Sequence, residues 1–137
     1  MSAELLYPDC KRESYFSAPG DYSPMLESFG SIVLKVDDDD YQGDSRVLYR
    51  AGYKIGYLQF GWGSCSGCDA LQGCDSYAEI DSLMDGLQAA IIWFDSAQLA
   101  LEYFNTHDWK GDYSYHTDGQ EEFIRLAKEL LEQAEPQ

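Results

Sequence analysis

The sequence predicts an α+β fold: a three-stranded antiparallel sheet followed by three helices, with an irregular N-terminal arm. Three observations predict it. Apolar residues alternate with period two between residues 31 and 62, they recur every three or four residues from 77 onward, and residues 1–28 show no period at all. With 137 residues, 45% of them hydrophobic, the chain has material for one core that buries roughly two-thirds of its unfolded surface. The expected organisation is an arm over 1–28 and a single α+β domain over 29–137.

Within the arm, Pro8, Pro19-Gly20 and Pro24 interrupt any regular element. A first strand is expected from Ser31 to Val36, with Ile32, Leu34 and Val36 on one buried face, ended by Asp37-Asp38-Asp39-Asp40. Two more strands, Arg46 to Arg50 and Lys54 to Trp62, flank the tight Ala51-Gly52-Tyr53 connection and place Leu58, Phe60 and Trp62 on one side. The period then changes. Tyr77, Ile80, Leu83, Met84, Leu87, Ile91 and Phe94 define an amphipathic helix opened by the capping box Ser76-Tyr77-Ala78-Glu79. Asp95-Ser96 interrupts it, and a shorter helix follows from Ala97 to about Asn105 with Ala100, Leu101 and Phe104 on one side. The last helix is expected from Gln120 to Ala134, capped by Thr117 or Asp118. Strands first and helices after suggest a sheet covered on one face.

Charge is the strongest compositional feature. Twenty-five Asp and Glu stand against nine Lys and Arg, for a formal net charge of -16 and a pI near 4.1. Phosphate contacts rest on Lys and Arg, so this balance argues against direct nucleic-acid binding and against adsorption to anionic lipid. It favours a basic protein partner, whose basic surface is commonly a nucleic-acid channel. The same acids also keep a small protein soluble. The longest apolar stretch, Leu87 to Phe94, is far short of the roughly 20 residues of a membrane span. Met1 to Leu6 has no basic segment followed by an apolar one, so a cytoplasmic location with reduced thiols is expected.

Three cysteines fall within ten residues in Gly63-Ser64-Cys65-Ser66-Gly67-Cys68-Asp69-Ala70-Leu71-Gln72-Gly73-Cys74. Three readings are open. As metal ligands, Cys65, Cys68 and Cys74 supply three donors for a zinc ion, with His107 the first choice for the fourth ahead of His116 and Cys10. As a dithiol, Cys65 and Cys68 have the spacing of a redox pair, although Asp69 and Asp75 beside them oppose thiolate formation. As core residues, all three are small buried hydrophobes in a glycine-rich turn.

Asp37 to Asp40 with Gly43 and Asp44 has the look of a calcium loop. Starting at Asp38 places Gly43 sixth but Tyr49 twelfth, so the bidentate glutamate is missing. Four adjacent aspartates are expected to stay in water as a solvated turn or the tip of an acidic contact surface. Trp109, Tyr113, Tyr115 and His116 crowd one segment and suit either an interface or core packing. No phosphate-loop, serine-hydrolase, metalloprotease or dinucleotide motif occurs, and no catalytic residue set is picked out.

The combination of Tyr41-Gln42-Gly43-Asp44, the run Gly61 to Gln72, Trp93-Phe94-Asp95 and His107-Asp108-Trp109 resembles a group of small phage and prophage proteins without a settled activity. The resemblance covers about residues 30 to 133. It implies a host cytoplasm and raises the expectation of an inhibitor of anti-CRISPR or anti-restriction type. The expected function is therefore a non-enzymatic acidic interaction protein that binds a basic, nucleic-acid-binding surface. Its contact residues are expected to be Asp37, Asp38, Asp39, Asp40, Asp44, Glu79, Asp81, Asp85 and Asp95. The alternatives are a small zinc-stabilised accessory domain and a thiol-dependent enzyme.

Overall fold

The computed structural model describes residues 2–112 and 117–134. It is an α+β fold in which a four-stranded antiparallel sheet, ordered β1-β2-β3-β4, runs through the middle. The strands are β1 (Ser31–Asp37), β2 (Gly43–Ala51), β3 (Lys54–Trp62) and β4 (Ile92–Phe94). Helices α1 (Ala3–Leu6), α2 (Ser23–Ser28) and α3 (Tyr77–Ala90) precede β4, and α4 (Ala97–Thr106) and α5 (Thr117–Glu132) come after it. Among the described residues no helix is long and apolar enough to cross a membrane.

The sheet is covered on both faces, not one. Val47, Tyr49, Leu58 and Phe60 pack with Met25, Leu26, Leu71, Ile80, Met84 and Ile91 on one side. Leu48, Ile55 and Tyr57 pack with Ala100, Phe104, Phe123, Ala127 and Leu131 on the other. Residues 43 to 49 are consequently buried without interruption, as expected of a central strand with both faces covered. Tyr57 shows the second core most clearly. Its ring lies 5.4 Å from Phe104, 5.8 Å from Trp109 and 5.4 Å from Phe123, inside the 4.5–7 Å range of favourable aromatic pairs.

Three expectations need correction in detail. The pairing of Ile32 with Tyr49 and of Leu34 with Leu48 leaves Val33 as an extra residue on β1. This bulge reverses the facing of the residues after it, so Ile32 packs in the first core while Leu34 and Val36 join the second. The expected helix over Tyr77 to Phe94 stops at Ala90, with Ile91 as its C-cap. Ile92, Trp93 and Phe94 instead add a fourth strand opposite Tyr57, Gly56 and Ile55. Their β-branched and aromatic side chains suit a strand, and the unpaired backbone of β3 is stabilised by their hydrogen bonds. Gly56 makes room for this, since a Cβ there would stand 2.9 Å from Trp93 Cζ3.

The third correction concerns the N-terminal arm, which carries two short helices and is tied into the first core through Ala3, Tyr7, Cys10, Tyr22, Met25 and Leu26. Tyr49 Oη donates to the Leu26 carbonyl at 2.8 Å, and the Ala3 N–H donates to Asp81 Oδ1 at 2.8 Å. Elsewhere the local readings and the structure agree closely. Ala51 pairs with Lys54, leaving a two-residue loop whose Gly52 has φ 64°, a backbone state that glycine adopts without cost. Ser76 Oγ accepts from the Glu79 N–H at 3.2 Å, and Ser96 Oγ accepts from the Leu99 N–H at 3.2 Å. The last helix begins earlier than expected, at Thr117, so Thr117 and Asp118 lie inside its first turn and do not cap it; Tyr113, Tyr115 and His116 lie outside the described residues.

Candidate functional site

The segment after β3 is organised around one carboxylate. Asp69, 4% exposed, accepts at Oδ1 from Tyr22 Oη (2.8 Å) and the Gly63 N–H (3.2 Å), and at Oδ2 from the Gln72 N–H (3.0 Å). Gln72 Nε2 then donates back to the Gly63 carbonyl at 3.1 Å, and the Leu71 N–H donates to Tyr22 Oη at 3.2 Å. Three donors meet this buried carboxylate, which ties the loop to the arm through Tyr22. Burial, with the hydrogen bond to Asp69 next, pushes the Tyr22 phenol well above its ordinary range.

On this base sits the turn Cys65 to Cys68. The Cys68 N–H donates to the Cys65 carbonyl at 3.1 Å, which closes a β-turn. Within it the Cys65 N–H points at Cys68 Sγ, 2.9 Å away. Both cysteines are exposed, whereas Cys74 and Cys10 are buried. Gly63 lets the chain close over the turn, because a Cβ there would stand 2.9 Å from Cys68 Sγ and would strike the Cys68 carbonyl.

Their surroundings shift the thiols of Cys68 and Cys74 in opposite directions. The Cys65 side chain, and after it the backbone N–H groups of Cys65 and Ser64, hydrogen-bond to Cys68 Sγ and lower its pKa. Burial raises that of Cys74, and the charges of Glu79, Asp75 and Asp69 add to the effect. The acids beside the run thus act on Cys74. Asp69 is turned inward to its own donors, away from the exposed pair.

The four expected zinc ligands are not brought together. Cys74 Sγ donates to the Ala70 carbonyl at 3.3 Å within the first core. His107 stacks on Tyr103 at 4.7 Å and meets Trp109 edge-on at 4.6 Å, on the side of the sheet covered by α4 and α5. Its Nε2 lies 2.9 Å from Asp112 Oδ2. Among the described residues no group of three or more His, Cys, Asp and Glu is placed to hold a metal ion.

The acidic residues divide into two populations. Asp38 and Asp44 are buried at 6% and 5% exposure and flank the guanidinium of Arg46, with Asp38 Oδ1 at 3.3 Å and Asp44 Oδ2 at 3.8 Å. The expectation that all four consecutive aspartates stay in water therefore fails at Asp38. A buried guanidinium requires counter-charge, and Asp38 also accepts the Asp44 N–H at 2.8 Å. These two residues are withdrawn from any docking surface. Asp37 is exposed and engaged locally, accepting from Lys35 Nζ at 3.0 Å and from Ser45 Oγ. Asp39, Asp40, Glu79, Asp85 and Asp95 are exposed, and Asp81 is half-buried beneath the Ala3 N–H.

The charge pattern along the chain is uneven. Between Lys54 and Lys110 there is no Lys or Arg, while Asp75, Glu79, Asp85, Asp95, Glu102 and Asp108 in that interval are all exposed. Compensation comes at one end of α3, where Lys11 and Arg12 line a cleft with Asp75, Ser76 and Tyr77. On α5, by contrast, Arg125 pairs with Glu129 at 3.3 Å.

Sequence reasoning missed Arg46 as an internal counter-ion and the Tyr22–Asp69–Gln72 cluster as the frame of the cysteine turn. An Asp directly after the second cysteine of a glycine-rich turn was a legible sign, since such side chains bond to nearby backbone N–H groups. The contribution of Tyr22, 47 residues away, had no local sign. Comparison with protein-family models, with curated proteins and with solved structures finds no match.

Proposed function

We propose that the protein is a non-enzymatic acidic interaction protein whose partner presents a basic, nucleic-acid-binding surface. The observation that supports this most is the cation-free interval from residue 55 to 109, whose exposed acids include Glu79 and Asp85 on the outer side of α3. Charges unopposed by local ion pairs project a field that steers basic surfaces into encounter. The exposed Asp39 adds to that field, whereas Asp37 is opposed by Lys35 at 3.0 Å. Asp38 and Asp44 contribute less, because both are buried and face Arg46 inside the fold. The resemblance to small phage proteins favours a partner among host nucleic-acid enzymes, as for an inhibitor of anti-CRISPR or anti-restriction type.

The test is capture of partners from host lysate on immobilised protein at about 50 mM and about 500 mM salt, where the Debye length falls several-fold. Retention of a basic nucleic-acid-binding protein at low salt only, and its competition by DNA, is the expected result. Failure to retain any basic protein at low salt overturns the reading.

A further inference from the structure

We propose that Cys65 and Cys68 form a redox-active dithiol that exchanges with accessible disulfides, with Cys68 as the attacking sulfur and Cys65 as the resolving one. The turn geometry supplies the pair. A β-turn closed by the Cys68 N–H to Cys65 carbonyl bond brings its end Cα atoms within about 7 Å, and disulfides span about 4.4–6.8 Å between Cα atoms. Both sulfurs are reached from solvent, and a Cβ at the intervening Gly67 would meet nothing within 4 Å. The side of the turn at Gly67 is therefore open to an incoming disulfide.

The order of attack is set by an asymmetry inside the turn. The Cys65 N–H is aimed at Cys68 Sγ at 2.9 Å, which favours the anionic form of that sulfur, and the protonated thiol donates to the Cys65 carbonyl at 3.3 Å. The backbone around the turn is held in place by Asp69 through the N–H groups of Gly63 and Gln72. The donor to Cys68 is thus fixed before any substrate arrives. The N-terminal cysteine of the pair here serves the C-terminal one.

In the first step Cys68 sulfur, as thiolate, attacks one sulfur of a disulfide such as glutathione disulfide. The substrate S–S bond breaks, a Cys68–glutathione mixed disulfide forms, and the departing glutathione thiolate takes up a proton from water. Cys65 then loses its proton to water and its sulfur attacks Cys68 Sγ. The mixed disulfide breaks, the second glutathione leaves as a thiolate and is protonated, and the Cys65–Cys68 bond is formed. Two protein thiols are oxidised and one disulfide is reduced to two thiols. Cys10 and Cys74, both buried, take no part.

The test treats wild type, Cys65→Ser and Cys68→Ser with glutathione disulfide and maps the products by mass spectrometry. Wild type is expected to form the internal Cys65–Cys68 disulfide and to release two glutathiones per chain. Cys65→Ser is expected to stop at a stable adduct on Cys68, formed roughly tenfold faster than the adduct on Cys65 in Cys68→Ser. Three results overturn the proposal: wild type that keeps both thiols, wild type that stops at a glutathione adduct, or equal rates at the two positions. Labelling of Cys10 and Cys74 identifies an unfolded variant, in which case the wild-type product alone decides.

Discussion

Asp38 and Arg46, both without side-chain exposure, face each other at 3.3 Å beneath the start of α5. The pair converts one member of an acidic run into an internal support, and the neighbouring Asp39 remains in water. Removing Asp38 leaves the buried guanidinium to the more distant Asp44 carboxylate at 3.8 Å, at a cost of about 2–3 kcal/mol, below that of a fully uncompensated charge. Asp38→Ala is therefore expected to lose that much stability in urea unfolding, and Asp39→Ala less than about 0.5 kcal/mol. Equal midpoints for the two variants would contradict the burial of Asp38.

Two glycines in helices predict changes of opposite sign. A Cβ at Gly119 in α5 would collide with Asp38 Oδ1 and approach Arg46 Nη1 at 3.3 Å, while one at Gly86 in α3 meets nothing within 4 Å. Gly119→Ala is expected to destabilise by about 1–3 kcal/mol through overpacking. Gly86→Ala is expected to stabilise by about 0.5–1 kcal/mol through helix propensity. Thermal unfolding of the two variants side by side is the measurement.

Replacing Tyr22 by Phe removes a donor to Asp69 Oδ1 and an acceptor for the Leu71 N–H. With both partners buried, the loss is expected to be about 1–3 kcal/mol. The turn at Cys65 to Cys68 is expected to loosen at the same time. Hydrogen exchange of the Gly63 and Gln72 amides reads this directly, and unchanged protection there would show that Asp69 holds the loop without Tyr22.

Alkaline pH is expected to unfold the protein through its buried tyrosines. Burial raises Tyr7 to about 12 and moves Tyr22, Tyr49 and Tyr57 further up, from an ordinary value of 10.0. Above pH 10 the unfolded chain loses phenolic protons that the folded chain keeps, so stability is full below pH 10 and falls as pH rises through the folded values. Tyrosinate absorbance is expected to rise cooperatively with loss of circular dichroism. Independent ionisation of these phenols near pH 10, with the fold intact, would refute it.

Charge reversal separates the proposed docking surface from the internal acids. Glu79→Lys with Asp85→Lys is expected to cut the low-salt association rate with a captured basic partner by roughly tenfold or more. Stability is expected to fall by about 1 kcal/mol, because Glu79→Lys removes the capping-box carboxylate and opposes the dipole at the N-terminus of α3, while Asp85 is exposed and contributes little. Surface plasmon resonance across a salt series checks the rate, and a rate unaffected by the double reversal removes α3 from the interface.

Local chemistry made much of this legible. The Ser76 capping box, the Gly52 turn, the strand from Lys54 to Trp62 and the helix from Ala97 are all set by bonds and periods within a few residues. The candidate site was legible in part, because the proximity of Cys65 and Cys68 comes from their spacing in a turn. His107 was joined to them as a donor at the end of the second helix, and neither donor type nor helix position carries information about which layer a residue enters. The bulge at Val33 was hidden for a related reason, since one inserted residue reverses the facing of its neighbours without altering their apolar character.

The α+β character, the excess of acids and the dithiol turn were determined by the sequence itself, through short-range periodicity, composition and spacing. The tertiary structure decided which face of the sheet each helix covers, that Ile92 to Phe94 join β3, and that Tyr22 reaches Asp69. It also decided that Asp38 turns inward to Arg46. These outcomes depend on partners far apart in the chain, where a buried charge or an unpaired backbone group is stabilised only by whatever the fold brings beside it.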